Sequence, residues 1–270
     1  MSWSVREPLL KNRAWLDYVR TAYSVPHHDY PYYTYIGLNF TAEGIKNLKF
    51  YFAYFRRLTE AEIDLLLPVP DRGRFNEFYA DWHPSKEAET ELHRGVTFAL
   101  KVDLDGSLTH YYHLRVKGTP LGLPERAILS AREKNRFHGV CQEFKGGKAH
   151  LKRYYYLIEP NSIAYTLHLA GMSPRARHVE LLEYIESDGR DKFTWVTKDA
   201  RLVQELVEKR GSPELGALLA ELATDTKGQP FAPGSARDGS DHAIYFFDPK
   251  HATGFDGVRG FVTKYLGIAL

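Results

Sequence analysis

The chain has 270 residues, a formal net charge of +2, 18 tyrosines, 15 phenylalanines and a single cysteine, Cys141. That length can bury a sizeable core, either as one closed barrel or as two small domains. The near-zero charge excludes a general polyanion-binding surface, and one cysteine excludes an intrachain disulfide or a cysteine-rich zinc site. The opening MSWSVREPLLKNR carries charges where a signal peptide needs its apolar stretch, and no run approaches the length of a membrane span. The expectation is a single soluble, cytoplasmic domain over residues 1–270 that neither crosses a membrane nor binds nucleic acid.

In chain order, residues 3–24 read as a helix, with Leu9, Trp15, Val19 and Tyr23 on an apolar stripe, and 25–32 as a turn-rich lead-in. Residues 33–40 and 45–56 form a hairpin. Period two places Leu48, Phe50, Phe52 and Tyr54 on one face of its second strand, and Lys49, Tyr51, Ala53 and Phe55 on the other. Thr59-Glu60-Ala61-Glu62 is a capping box opening a helix to about Leu67, and 71–94 is polar and helical in part. Residues 95–117 make a second hairpin around Asp105-Gly106, followed by a helix over 123–137 and a break at Gly146-Gly147. A third hairpin is expected over 151–170, with its turn at Glu159-Pro160-Asn161, and a fourth over 178–198, whose first half also suits a helix through Leu181, Leu182 and Ile185. Two helices split at Gly211 fill 199–224, Ser212 and Pro213 opening the second. Residues 225–241 read as a loop, and 242–248 with 258–266 as the last hairpin.

Five hairpins separated mostly by helices give an α+β fold: a closed antiparallel β-barrel of about ten strands (β-hairpins) surrounded by α-helices. Cations and tyrosines recur on one face of these strands. The first hairpin brings Lys49 and Tyr51; the second brings Lys101, Asp103, Tyr111, His113 and Arg115. The third brings either Lys152, Tyr154 and Tyr156 or Arg153 and Tyr155, and the last brings Tyr245, Phe247 and either Lys264 or Tyr265. In a closed sheet that face lines a lumen where lysine and arginine can hold a polyanion and aromatic rings can face a cation. On an open sheet it is a solvated surface.

Other chemistries find less support. His110 and His113 are three apart on a strand and point to opposite faces, so no metal site is expected from them. Cys141 has no nucleophile context and reads as a buried thiol. There is no Gly-x-Ser-x-Gly, Walker or His-Glu-x-x-His motif. A non-catalytic barrel holding a small hydrophobic or aromatic ligand is the alternative to an enzyme.

The segments IGLNF and GIKNLKFYF, within 36–52, resemble the hairpin of ABBA-type aromatic prenyltransferases, whose lumen strands carry a Lys-x-Tyr pattern. Lys49-Phe50-Tyr51 matches that pattern, and Lys152-Arg153-Tyr154 within LKRYYYLIEP matches it again. The resemblance implies prenyl transfer from an isoprenoid diphosphate, dimethylallyl or geranyl, to an aromatic acceptor, either a small molecule or a peptide side chain. It implies diphosphate binding by Lys49, Lys101, Arg115 and Lys152, and shielding of the allylic cation by Tyr51, Tyr111, Tyr154 and Tyr245. His113, Tyr156 and Tyr265 complete the expected lining, and Asp29 and Asp103 are the candidates for taking the acceptor proton. With no Asp-Asp pair in the chain, magnesium is expected to be dispensable or held by the diphosphate alone.

Overall fold

A computed structural model describes residues 6–26, 33–54, 58–67, 72–77, 96–115, 137–145, 148–157, 160–173, 179–187, 190–226, 231–247 and 257–270. Ten strands form one closed barrel in which every neighbour is antiparallel: β1 (Tyr33–Thr41), β2 (Gly44–Tyr54), β3 (Val96–Asp103), β4 (Leu108–Arg115), β5 (Phe137–Lys145), β6 (Lys148–Leu157), β7 (Val179–Ser187), β8 (Lys192–Thr197), β9 (Phe231–Ala236) and β10 (His242–Phe247). Consecutive strands are neighbours throughout, and β10 closes on β1 through pairs such as Gly37 with Tyr245. Among the described residues the helices include α1 (Arg6–Lys11), α2 (Ala14–Ser24), α3 (Glu60–Leu66), α4 (Pro160–Leu169), α5 (Ala200–Arg210), α6 (Pro213–Thr226) and α7 (Gly257–Leu266), and residues 72–77 are helical too. None among the described residues is long and apolar enough to cross a membrane.

The main core lies between sheet and helices. Trp15 of α2 stacks on Phe50 of β2 at 5.2 Å, and Phe261 of α7 reaches the same ring at 6.4 Å. Tyr54 donates its hydroxyl to the Ala22 carbonyl at 2.8 Å, tying β2 to the end of α2. Helix α7 approaches β1 so closely that a Cβ on Gly257 would sit 2.5 Å from the Thr34 carbonyl oxygen, so only glycine fits there.

Three hairpins form as the alternation predicts: β1–β2, β3–β4 and β7–β8. The Thr59–Glu62 capping box is complete and opens α3, and Ser212 Oγ accepts from Leu215 N at the start of α6. The helix expected over 3–24 is instead two, broken at Asn12. The Asn12 side chain accepts from Ala14 N at 3.2 Å and donates to the Gly106 carbonyl at 2.9 Å.

The third and fifth hairpins have different partners from those expected. Residues 163–169 are not a strand but part of α4, with Ile163, Thr166 and Leu167 buried at helical spacing and Thr166 Oγ1 accepting from Trp195 Nε1 at 2.9 Å. The partner of β6 is β5, where no strand was expected, joined across Lys145 and Lys148. Residues 258–266 belong to α7, because Val258, Phe261, Val262, Tyr265 and Leu266 form one helical stripe. The partner of β10 is β9, inside the segment read as loop. Pro233 is tolerated there because the β8–β9 ladder pairs Thr194 with Gly234 and Thr197 with Phe231 but is interrupted between them. The helix over 123–137 falls outside the described residues apart from its last residue, Phe137, which begins β5.

Candidate active site

The registers fix which face lines the lumen. Lys49 pairs with Gly37 and Lys101, Tyr51 with Tyr35 and Ala99, and Ala99 with Tyr111. Tyr111 pairs with Glu143, His113 with Cys141, and Cys141 with Lys152. Tyr154 pairs with Ile185, Tyr156 with Glu183, and Glu183 with Thr194; Thr194 faces Gly234, and Tyr245 faces Ala232 and Gly37. The open alternative at β6 is thereby resolved. Lys152, Tyr154 and Tyr156 share the lumen face, whereas Tyr155 is on the outer face, stacked on Tyr184 and donating to Glu186.

Tyr51, Ala99, Tyr111 and Cys141 form a second buried cluster, separate from the main core, with Tyr35, Tyr154 and Tyr245 packed against it. Tyr35 and Tyr51 stack at 4.1 Å, and Tyr245 meets Tyr51 edge-on at 5.9 Å. Gly37 makes room for this arrangement, since a Cβ there would lie 2.8 Å from the Tyr245 ring. His113 stands among the rings, 5.5 Å from Tyr154, 5.9 Å from Tyr51 and 6.3 Å from Tyr111 between centroids.

Among the described residues, four lysines reach this lumen. Lys101 pairs with Asp103 at 3.0 Å, Lys152 with Glu143 at 2.5 Å, and Lys192 with Asp241. Lys49 has no carboxylate partner among the described residues; its ammonium lies over the rings of Tyr111 at 5.4 Å and Tyr245 at 6.0 Å. Burial, with the charge of Lys152 adding to it, lowers the Lys49 pKa to about 8. Burial pushes the Glu143 carboxyl up, but Lys152 and the Tyr111 hydroxyl, donated at 2.8 Å, more than reverse this and bring it down to about 2. Burial raises Tyr51, Tyr111 and Tyr154 well above the ordinary phenol value. Cys141 Sγ lies 3.5 Å from His113 Nε2, yet burial pushes the thiol up to about 12. The pair is therefore not a thiolate–imidazolium nucleophile. Among the described residues no group of three His, Cys, Asp or Glu side chains could hold a metal ion.

The barrel brings together Lys49, Tyr51, Lys101, Asp103, Tyr111, His113, Lys152, Tyr154, Tyr156 and Tyr245. Asp103 sits near the hairpin-turn end, already paired with Lys101. Arg115 pairs with Gly139 at the end of β4. Tyr265 is not in the lumen: it lies on α7, stacked on Phe261 at 5.4 Å in the outer core. Asp29 lies outside the described residues.

The sequence reading missed Tyr35, Glu143, Glu183, Lys192 and Asp241. Tyr35 was accessible from parity, because it shares a face with Gly37 and Asn39 opposite Tyr51 and Lys49. Glu143 went with the missed β5. Asp241 gave no local signal, since its carboxylate is engaged by Lys192 from β8 and by Asn39 Nδ2 from β1 at 3.2 Å, residues far from it in the chain.

No protein-family model and no curated protein matches the chain. Among solved structures it is similar to AnaPT from Neosartorya fischeri, with TM-score 0.50 and 12% identity over 79% of this chain and 77% of that one. It is also similar to 6-dimethylallyltryptophan synthase from Micromonospora olivasterospora, solved in complex with DMASPP and Trp, with TM-score 0.44 and 12% identity over 90% of this chain and 94% of that one. In fold, then, the chain is a PT-barrel, the architecture of the ABBA-type aromatic prenyltransferases.

Proposed function

We propose that the lumen transfers a prenyl group from an isoprenoid diphosphate, dimethylallyl or geranyl, to an aromatic acceptor. The observation that carries this reading is Lys49, a buried cation without a counter-ion among the described residues, set against Tyr111 and Tyr245 and surrounded by Lys101, Lys152 and Lys192. A diphosphate supplies the missing negative charge, and the lysines supply its donors. When the carbon–oxygen bond of the donor breaks, positive charge develops on the allylic carbon, and the faces of Tyr51, Tyr111, Tyr154 and Tyr245 stabilise it, each by several tenths to about 2 kcal/mol in a dry site. Because lysines balance the diphosphate, magnesium is dispensable in this reading. Cytoplasmic location belongs to the same proposal.

Calorimetric titration with dimethylallyl and geranyl thiodiphosphates, first without and then with magnesium, tests it. Their non-scissile bond separates binding from turnover. Saturable, metal-free binding that Lys49→Met abolishes is the expected result. Failure of both analogues to bind, alongside binding of a hydrophobic probe that pyrophosphate does not displace, makes the barrel a ligand carrier instead.

A further inference from the structure

The proposed reaction leaves a proton to be removed, and the described lumen offers few groups able to take it. The lysines must stay charged to hold the diphosphate. The tyrosines are held protonated, and Cys141 stays a thiol at neutral pH. Asp103, Glu143 and Asp241 are each committed to a lysine, and Glu143 is too weak a base at about 2. His113 is a different kind of group. It projects from β4 into the ring of tyrosines, and its Nε2 lies 3.5 Å from Cys141 Sγ.

We propose that His113 is the proton acceptor of the lumen, the catalytic base that rearomatises the prenylated acceptor; this rests on the prenyl-transfer reading. In the step, the donor carbon–oxygen bond breaks and the diphosphate leaves with the electron pair. The allylic carbon bonds to a ring carbon of the acceptor. The carbon–hydrogen bond at that ring carbon then breaks, its electrons restore the aromatic system, and the proton goes to an imidazole nitrogen. A neutral imidazole has one nitrogen with a lone pair that can take up a proton. The imidazolium returns the proton to solvent when product leaves, and nothing is oxidised or reduced. The location is what singles out this group: the proton is released where the cation was, and His113 stands between the rings that face that cation. The competing carboxylate is Glu183, which enters the lumen from β7 opposite Tyr156.

The test uses dimethylallyl diphosphate with indole, unlabelled and deuterated on its ring carbons, and dimethylallyl thiodiphosphate as the binding probe. His113→Gln is expected to lower kcat by about 100-fold or more, as loss of a general base does. It should leave thiodiphosphate affinity within about twofold of the wild type and raise the deuterium isotope effect on kcat. If His113→Gln fails to bind the thiodiphosphate, His113→Ala with added imidazole replaces it. Recovered transfer supports the base, and no recovery overturns it. A His113→Gln variant with wild-type kcat or an unchanged isotope effect, or a raised isotope effect found in Glu183→Gln instead, overturns this inference while prenyl transfer stands. A wild type that neither binds the thiodiphosphate nor prenylates indole removes the function and the base together.

Discussion

The two faces of β2 are equally buried and chemically opposite. Outward, Leu48, Phe50, Phe52 and Tyr54 belong to the main core, and their contacts are complete: Trp15 stacks on Phe50, Tyr23 meets Phe52 edge-on at 5.5 Å, and the one hydroxyl reaches a carbonyl. Inward, Lys49 lacks a counter-ion among the described residues. The buried oxygens Asn39 Oδ1, Asn47 Oδ1 and Thr97 Oγ1 on the same wall have no hydrogen-bond partner among the described residues. The Asn39 orphan is not a matter of amide orientation, since its nitrogen already donates to Asp241. Along β2, burial alone therefore does not separate a core from a site; a buried charge without a counter-ion does. The outer face is arranged for stability, and the inner face retains capacity for a ligand.

The comparison breaks most visibly if the outer face proves dispensable. Phe50→Ala removes a ring packed between Trp15 and Phe261 and is expected to destabilise the fold by about 3–5 kcal/mol, read from the midpoint of urea unfolding at unchanged slope. On the inner face, Lys49→Met is expected to have the opposite sign, stabilising the ligand-free protein by about 1–3 kcal/mol at pH 7 while abolishing thiodiphosphate binding. The pH dependence follows from the direction of the pKa. The folded chain holds Lys49 at about 8, below the ordinary 10.5, so between these values the unfolded chain binds the extra proton. Wild-type stability thus gains with pH across that window. The advantage of Lys49→Met is full below pH 8, shrinks from 8 to 10.5 and is gone above it. Unfolding midpoints for both proteins from pH 7 to 10.5 check the convergence, and a constant difference would mean that the fold does not lower the Lys49 pKa.

The same contrast explains what could be read from the sequence. Where one face of a strand is apolar and the other carries Lys and Tyr, as in β2 and β4, alternation gave both the strand and the site residues. β5 escaped because its outer face mixes Val140, Gln142 and Phe144 while its lumen face holds Gly139, Cys141 and Glu143, so neither face has a uniform character. β9 escaped because Pro233 and Gly234 are ordinarily turn residues; here Gly234 lies so close to β8 that a Cβ would sit 2.9 Å from the Phe193 carbonyl oxygen. The two helices read as strands, α4 and α7, are short and apolar, the situation in which period two and period 3.6 are hardest to separate. The long-range ion pairs of the lumen are set by barrel closure, which no local pattern encodes.

The smallest expected effect is also the sharpest comparison, because it changes one atom type at two tyrosines three residues apart. Tyr54→Phe removes an outer hydroxyl that donates to the Ala22 carbonyl at 2.8 Å and leaves that buried acceptor short of a partner. It should cost about 1 kcal/mol. Tyr51→Phe removes an inner hydroxyl with no hydrogen-bond partner among the described residues, and its ring keeps the stack on Tyr35. Burial holds that phenol protonated, so no charge is lost with it. Its effect on stability should fall within about 0.5 kcal/mol of zero, the range of a change that breaks no buried contact. Equal losses at the two positions would mean that the inner hydroxyl is as fully committed to the fold as the outer one, and that the lumen wall is a second core.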